Sequence, residues 1–232
     1  SFAELKTFTI DWKEKLEDYA AGYSSTAAPI IANGKLITGV SGGEFGGLGR
    51  IDARDPMTGK LLWTRPTVEG HMGYTFDKDG NKVEHGISGT TNATWPGDLW
   101  KTGGASTWNG ATYDPETNLS IIGTGNPSPS YFADARGHMD ALYTCSLVAI
   151  NVETGKMAWY YQTSPNDTHD WDSAQTPVLA DIEINGRIRK VAMTAARNGY
   201  FFVVDRTTGE HLLTSKFSET ANWAEPKLNA KG

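Results

Sequence analysis

Three stretches of this chain are versions of one another: IDARDPMTGKLLW at 51–63, AINVETGKMAW at 149–159 and VVDRTTGEHLL at 203–213. They share an apolar-acidic-x-x-Thr-Gly pattern, with Asn151 in the acidic place of the middle copy. Each reads as a strand, a tight turn at Gly59, Gly155 or Gly209, and a returning strand. The first two copies end in Trp63 and Trp159, the third in Leu213. A further strand pair precedes each copy. Asn33-Gly34 and Asn185-Gly186 are hairpin turns between apolar runs, and Asp114 to Asn118 is the turn between strands near Tyr113 and Thr124. The units of four strands span roughly 24–65, 104–163 and 173–215.

Four-stranded units that repeat a Gly turn and a Trp read as blades of a β-propeller, each burying its faces against its neighbours. Three blades do not close a ring, so the pattern predicts an all-β partial propeller that forms part of a larger protein. Residues 66–103, rich in Gly, Asp and Thr, read as an insertion with little periodicity. The one helix-like stretch runs from Asp11 to Ala21.

Composition narrows the function. The 232 residues carry a net charge of −6 and no basic cluster, which argues against nucleic acid as a partner. No apolar run is long enough for a membrane-spanning helix. The single cysteine, Cys145, excludes an internal disulfide framework and a thiolate zinc cluster. The five histidines show no metal spacing, and no helical pattern follows the glycines at 42–49, so they are not a dinucleotide fingerprint. The chain opens at Ser1 with no signal-peptide pattern, as expected of a processed or truncated product.

Polar residues recur at equivalent places in the units but differ in chemistry. Thr26, Trp108 and Asp172 stand near the start of the first strand of each. Glu44, Asn126 and Arg197 follow the second strand, 18, 18 and 25 residues later. Loops at one end of a propeller converge on its axis, so this pattern aims six side chains at one central site. Glu44 and Asn126 offer hard oxygen ligands suited to Ca²⁺. Asp172 can neighbour the metal and act as a base. Arg197 is a fixed cation for a developing oxyanion, and Trp108 is a flat surface for a planar ligand.

With those residues in place, the chain resembles the alcohol dehydrogenases that depend on pyrroloquinoline quinone (PQQ), both quinoproteins and quinohaemoproteins. The resemblance rests on TAAP at 26–29, GVSGGEFG at 39–46, GGASTW at 103–108 and GTGNP at 123–127. It continues through LYTCSLVAINVETGK at 142–156, PNDTHDWDSAQTPVL at 165–179 and ARNGYFFVVDRTTGE at 196–210. It implies an internal portion of an eight-bladed propeller with W-shaped blades.

By resemblance, Glu44 and Asn126 are Ca²⁺ ligands, Asp172 is the catalytic base close to the metal, and Arg197 contacts the quinone oxygen. Trp108 is the floor under PQQ, and Thr26, Ser41, Gly42, Gly43 and Ser106 bind or closely approach the cofactor. Ala174 stands where the lanthanide-using branch has a further Asp, which favours Ca²⁺. The implied reaction is alcohol oxidation in the periplasm, with cytochrome c as electron acceptor. The family's vicinal cysteine pair, an upstream Glu and Arg, the later blades and any haem domain lie outside this stretch. Gly47-Leu48-Gly49 stands where the family has Val-Arg-Gly. Two other readings are a non-catalytic propeller scaffold, such as an outer-membrane assembly factor, and a quinoprotein acting on sugars or polymers. A scaffold would have no use for Glu44, Asn126, Asp172 and Arg197 together.

Overall fold

The computed structural model describes residues 12–85 and 93–227. Both Asn-Gly pairs form hairpin tips with left-handed backbone, φ 44° and 73° at Asn33-Gly34 and 52° and 75° at Asn185-Gly186. That twist suits two-residue hairpins and disfavours bulky side chains. The first tip joins β1 (Ile30–Ala32) to β2 (Lys35–Gly39). The second joins β11 (Val178–Ile184) to β12 (Arg187–Ala195).

The three Thr-Gly turns are built alike. They link β3 (Arg50–Arg54) to β4 (Leu61–Pro66), β9 (Ser146–Asn151) to β10 (Met157–Gln162), and β13 (Tyr200–Asp205) to β14 (His211–Lys216). Asp55, Asn151 and Asp205 each accept from turn N–H and threonine hydroxyl groups. Each turn glycine donates to the carbonyl of that same residue at 2.8 Å, with φ of 73°, 67° and 75°. A register shift accompanies every copy.

These turns also lock one sheet to the next. Trp63 Nε1 donates to Val152 O at 2.9 Å, and a β-carbon on Gly155 would lie 2.7 Å from the indole. Trp159 repeats this on the third turn, donating to Arg206 O at 3.1 Å beside Gly209. Trp12 does the same on the first turn, donating to Pro56 O at 2.8 Å beside Gly59. It therefore occupies the docking tryptophan's place for a unit ahead of the first sheet. This corrects the helical expectation for 11–21. Asp11 lies outside the described residues; from Trp12 on, the helical element is the single 3₁₀ turn Tyr19–Ala21. The docked indole draws the segment out, and between Lys13 and Asp18 only Leu16 is apolar, too little for an amphipathic face.

The second sheet has the order β10-β9-β8-β7, with β7 at Thr112–Asp114 and β8 at Leu119–Gly123; the third runs β11-β12-β13-β14. The first has six strands rather than four, because β5 (Gly73–Phe76) and β6 (Lys82–His85) pair onto β4. Part of the expected insertion at 66–103 is thus an added hairpin; 86–92 lie outside the described residues, and the 3₁₀ turn Leu99–Lys101 follows, with Val68 and Trp95 buried. The hairpin's sequence carries the signal: Tyr74-Thr75-Phe76 leads into Asp77-Lys78-Asp79-Gly80, where Asp77 accepts from Asp79 and Asn81. Between the first and second sheets the core is Ile37, Ile51, Ala53, Trp63, Ile122, Val148 and Ile150. Between the second and third it is Ile121, Leu147, Ala149, Trp159, Ala192 and Val204. Strands β8 and β9 feed both cores, which is why they read as unbroken apolar runs.

Candidate active site

In each sheet the first strand starts and the second ends at the same edge. Loops before β1, β7 and β11 and after β2, β8 and β12 therefore meet there. They enclose an open cavity of about 340 Å³ lined by Thr26, Ser41, Gly42, Glu44, Ser106, Trp108, Asp170, Asp172 and Arg197. Of the sequence-selected residues, only Gly43 and Asn126 stand behind its wall. Gly43 packs on Gly104 and Ser106. Asn126, buried, donates its backbone N–H to Asp172 Oδ1 at 2.6 Å.

Asp172 is the focus. Only 4% of the residue is exposed. Trp108 Nε1 donates to its Oδ2 at 3.0 Å, and Arg197 Nη1 lies 3.5 Å from the same oxygen. Burial raises its carboxyl pKa to about 6 and outweighs the lowering by the Asn126 and Trp108 hydrogen bonds and by Arg197. Asp170 adds a like charge that also raises it. A carboxylate poised near neutrality in a cavity is suited to proton transfer.

The neighbours each have a local cause. Gly42, at φ 110°, begins the turn that presents Glu44, and a β-carbon there would lie 1.9 Å from Gly22 O. Glu44 is exposed at the rim. Thr26 donates to Trp108 O at 2.6 Å and bonds to Ser41 at 2.7 Å, so it braces the indole floor. Asn198 fixes the turn carrying Arg197 by donating to Thr163 O and Ser164 Oγ and accepting from Tyr200 N. Trp223 donates to Asn198 O at 2.8 Å and leans on Trp171, which stacks on His169 at 4.1 Å.

Sequence reasoning missed Asp170. Its backbone is left-handed at φ 62°, its Oδ2 is 3.9 Å from Arg197, and its buried Oδ1 has no hydrogen-bond partner among the described residues. Burial raises its pKa; Arg197 opposes this, and Glu44 adds to it. Its spacing of two from Asp172 was the available signal, since alternate residues of extended chain share a side.

The donor set fits a cation and a flat anionic cofactor. Asn126 spends its amide NH₂ on Pro127 O and Ser130 Oγ, leaving the amide oxygen as its ligating atom. The unpartnered Asp170 Oδ1 and the rim carboxylate of Glu44 add hard oxygens. Among the described residues no three His, Cys, Asp or Glu side chains form a ready metal cluster. A cation here would therefore draw on the Asn126 amide oxygen as well as on carboxylates. A second cavity, of about 290 Å³ beneath Trp223 between Tyr161, Tyr200 and Phe202, is more apolar and gathers no such set.

Stacked antiparallel sheets that feed loops from equivalent strand ends into one cavity are blades of a β-propeller. The chain belongs to the PQQ dehydrogenase family: the family described as PQQ, glucose/ethanol/alcohol dehydrogenase, beta-propeller domain, matches residues 6–222. It is 49% identical over 219 residues to the quinoprotein alcohol dehydrogenase PedH of Pseudomonas putida, covering 94% of this chain and 36% of that protein. It is 39% identical over 241 residues to the quinoprotein ethanol dehydrogenase of Pseudomonas aeruginosa, covering 94% of this chain and 38% of that protein. A solved europium-containing methanol dehydrogenase superimposes with a TM-score of 0.77 at 33% identity, over 89% of this chain and 36% of that one. The chain thus spans about a third of the length of the relatives it matches.

Proposed function

We propose that the protein containing this chain oxidises small alcohols with PQQ and Ca²⁺ bound in the cavity under Asp172. The observation that carries this reading is the convergence of Asp172, Arg197, Trp108 and Glu44 on one cavity from three successive sheets. When bound, the quinone supplies a carbonyl carbon that accepts hydride, and the metal polarises that carbonyl. Glu44, the Asn126 amide oxygen, Asp172 and Asp170 Oδ1 are the groups that would hold the cation. Trp108 supplies the plane on which the cofactor lies, and Ser41, Gly42 and Ser106 are small enough for close approach. Arg197 presents its guanidinium to developing negative charge. Asp172 takes the hydroxyl proton of the alcohol at its carboxylate while the carbinol carbon gives up hydride.

Ala174 is buried two residues after Asp172, while Asp170 stands two residues before it and lines the same cavity, so this segment offers a cation two carboxylates and the identity of the ion is decided by the metal arm of the test. The electron acceptor is a cytochrome c, and the compartment is the periplasm. The rest of the propeller, outside this stretch, completes the pocket and covers the outer sheets. Reconstitution of the full-length protein with PQQ and Ca²⁺, followed by dye-linked oxidation of primary alcohols, tests the reading. Activity that needs both additions and is lost in Asp172→Ala supports it. An inactive full-length protein, or full activity in Asp172→Ala, discards it. Lanthanide in place of Ca²⁺ as the required ion would overturn the metal assignment alone.

A further inference from the structure

Arg136 is fully buried, and its guanidinium makes no ion pair among the described residues. Its hydrogen bonds divide between two loops. Nε donates to Pro129 O at 3.0 Å and Nη2 to Ser130 O at 3.2 Å, on the loop that follows Asn126. Nη1 donates to Asn166 Oδ1 at 3.2 Å and Nη2 also to Asp167 O, on the loop that leads into Asp172.

Both loops pass the constraint on to the site. Ser130 Oγ accepts from Asn126 Nδ2. The Asp167 carboxylate accepts from His169 N and Trp171 N, both at 3.0 Å, shaping the turn that delivers Asp170 and Asp172. In front, Asn126 N–H bonds Asp172 Oδ1 directly. Behind, Arg136 holds the same two loops at a fixed separation. Arg206 shows the contrast: that buried arginine reaches three carboxylates, Asp114, Glu116 and Asp181, far along the sheets from the cavity. Burying a guanidinium whose direct partners are carbonyls is costly, offset in part by the charge of the nearby Asp167 carboxylate, and its rigid planar fork suits it to gauging distance between two loops.

We propose that Arg136 is a positioning residue that sets the spacing between the Asn126 amide and the Asp172 carboxylate, and through it the geometry of the cation site. The inference rests on the functional reading above.

The test uses the full-length holoenzyme and three variants: Arg136→Met, Arg136→Lys and, as a control, Arg206→Met. Ca²⁺ affinity, turnover, melting temperature and hydrogen exchange over 127–131 and 165–172 are measured for each. Losing such outer support is expected to weaken Ca²⁺ binding by about 10–100-fold in Arg136→Met, with faster exchange in both segments together. Arg136→Lys, which keeps charge but not the fork, should recover only part of the affinity and serves if the Met form does not fold. Arg206→Met should lower the melting temperature while leaving Ca²⁺ affinity within twofold of wild type. A folded Arg136 variant with wild-type Ca²⁺ affinity and unchanged exchange overturns the proposal. If the wild-type protein binds neither PQQ nor Ca²⁺, the functional reading fails. The exchange data then decide alone whether Arg136 couples the loops: joint loosening upholds it, and independent behaviour rejects it.

Discussion

The indole N–H of Trp108 and the carboxylate of Asp172 form one hydrogen-bonded unit, 3.0 Å from Nε1 to Oδ2. The flat floor of the cavity and its buried acid therefore cannot move independently. A donor to an ionised acceptor is worth about 1.5–3 kcal/mol, and here it favours the carboxylate form. Trp108→Phe keeps a ring but removes the donor. The acid limb of the turnover–pH profile is expected to move up by about one unit, with lower turnover at pH 7. An unmoved acid limb would separate the two residues functionally.

Asp170 acts on the same carboxyl with opposite sign, because its negative charge raises the Asp172 pKa. Asp170→Asn should move the acid limb down. It also removes a carboxylate near Arg197. Opposed shifts in Asp170→Asn and Trp108→Phe, read from the same alcohol assay, are the signature expected.

Stability of the metal-free protein should carry the mark of Asp172. Its folded pKa, about 6, lies above the ordinary carboxylate value of 3.8. The neutral form is thus favoured in the fold: its contribution is complete below pH 3.8 and is lost as pH rises through 6. At pH 7 the ionised group costs up to about 3 kcal/mol. The melting temperature of Asp172→Asn relative to wild type should therefore climb between pH 4 and pH 7, while activity falls by at least about 100-fold. A pH-independent difference in melting temperature refutes this account.

Gly125 leaves no room for a side chain beside the acid. A β-carbon there would lie 2.8 Å from Ser106 Oγ and 3.0 Å from Asp172 Oδ1. Gly125→Ala should displace the carboxylate and lower turnover by about 100-fold, with a much smaller change in the affinity for PQQ. Steady-state kinetics beside a PQQ titration distinguish this from general loss of fold.

Trp63 ties the first sheet to the second through its fully buried indole and its bond to Val152 O. Trp63→Ala is expected to cost about 3–5 kcal/mol, seen as a lower urea midpoint. Ca²⁺ affinity of the folded fraction should be unchanged, because the indole lies outside the cavity lining.

The repeats made the architecture legible because each is a local instruction. A Thr-Gly turn needs a left-handed glycine four residues after the polar group that begins it, and Asp55, Asn151 and Asp205 supply that group for Gly59, Gly155 and Gly209. The hairpin at 73–85 was readable in the same terms, from Tyr74-Thr75-Phe76 and the Asp-Gly turn, but the surrounding glycines obscured it. Trp12 was not readable, since what keeps it from a helix is the Pro56 carbonyl 44 residues away.

The site divides along the same line. The chain by itself determined which chemical groups stand at equivalent strand ends: Thr26, Trp108 and Asp172 before the first strand, Glu44, Asn126 and Arg197 after the second. Only the tertiary structure decided that Asp170 joins them, that Thr26 serves the floor through Trp108 O, and that burial sets the state of Asp172. Local sequence governs turns and strand order through backbone sterics and nearby hydrogen bonds. Desolvation and contacts such as Trp108 with Asp172 depend on distances between sheets, which exist only once the blades have packed.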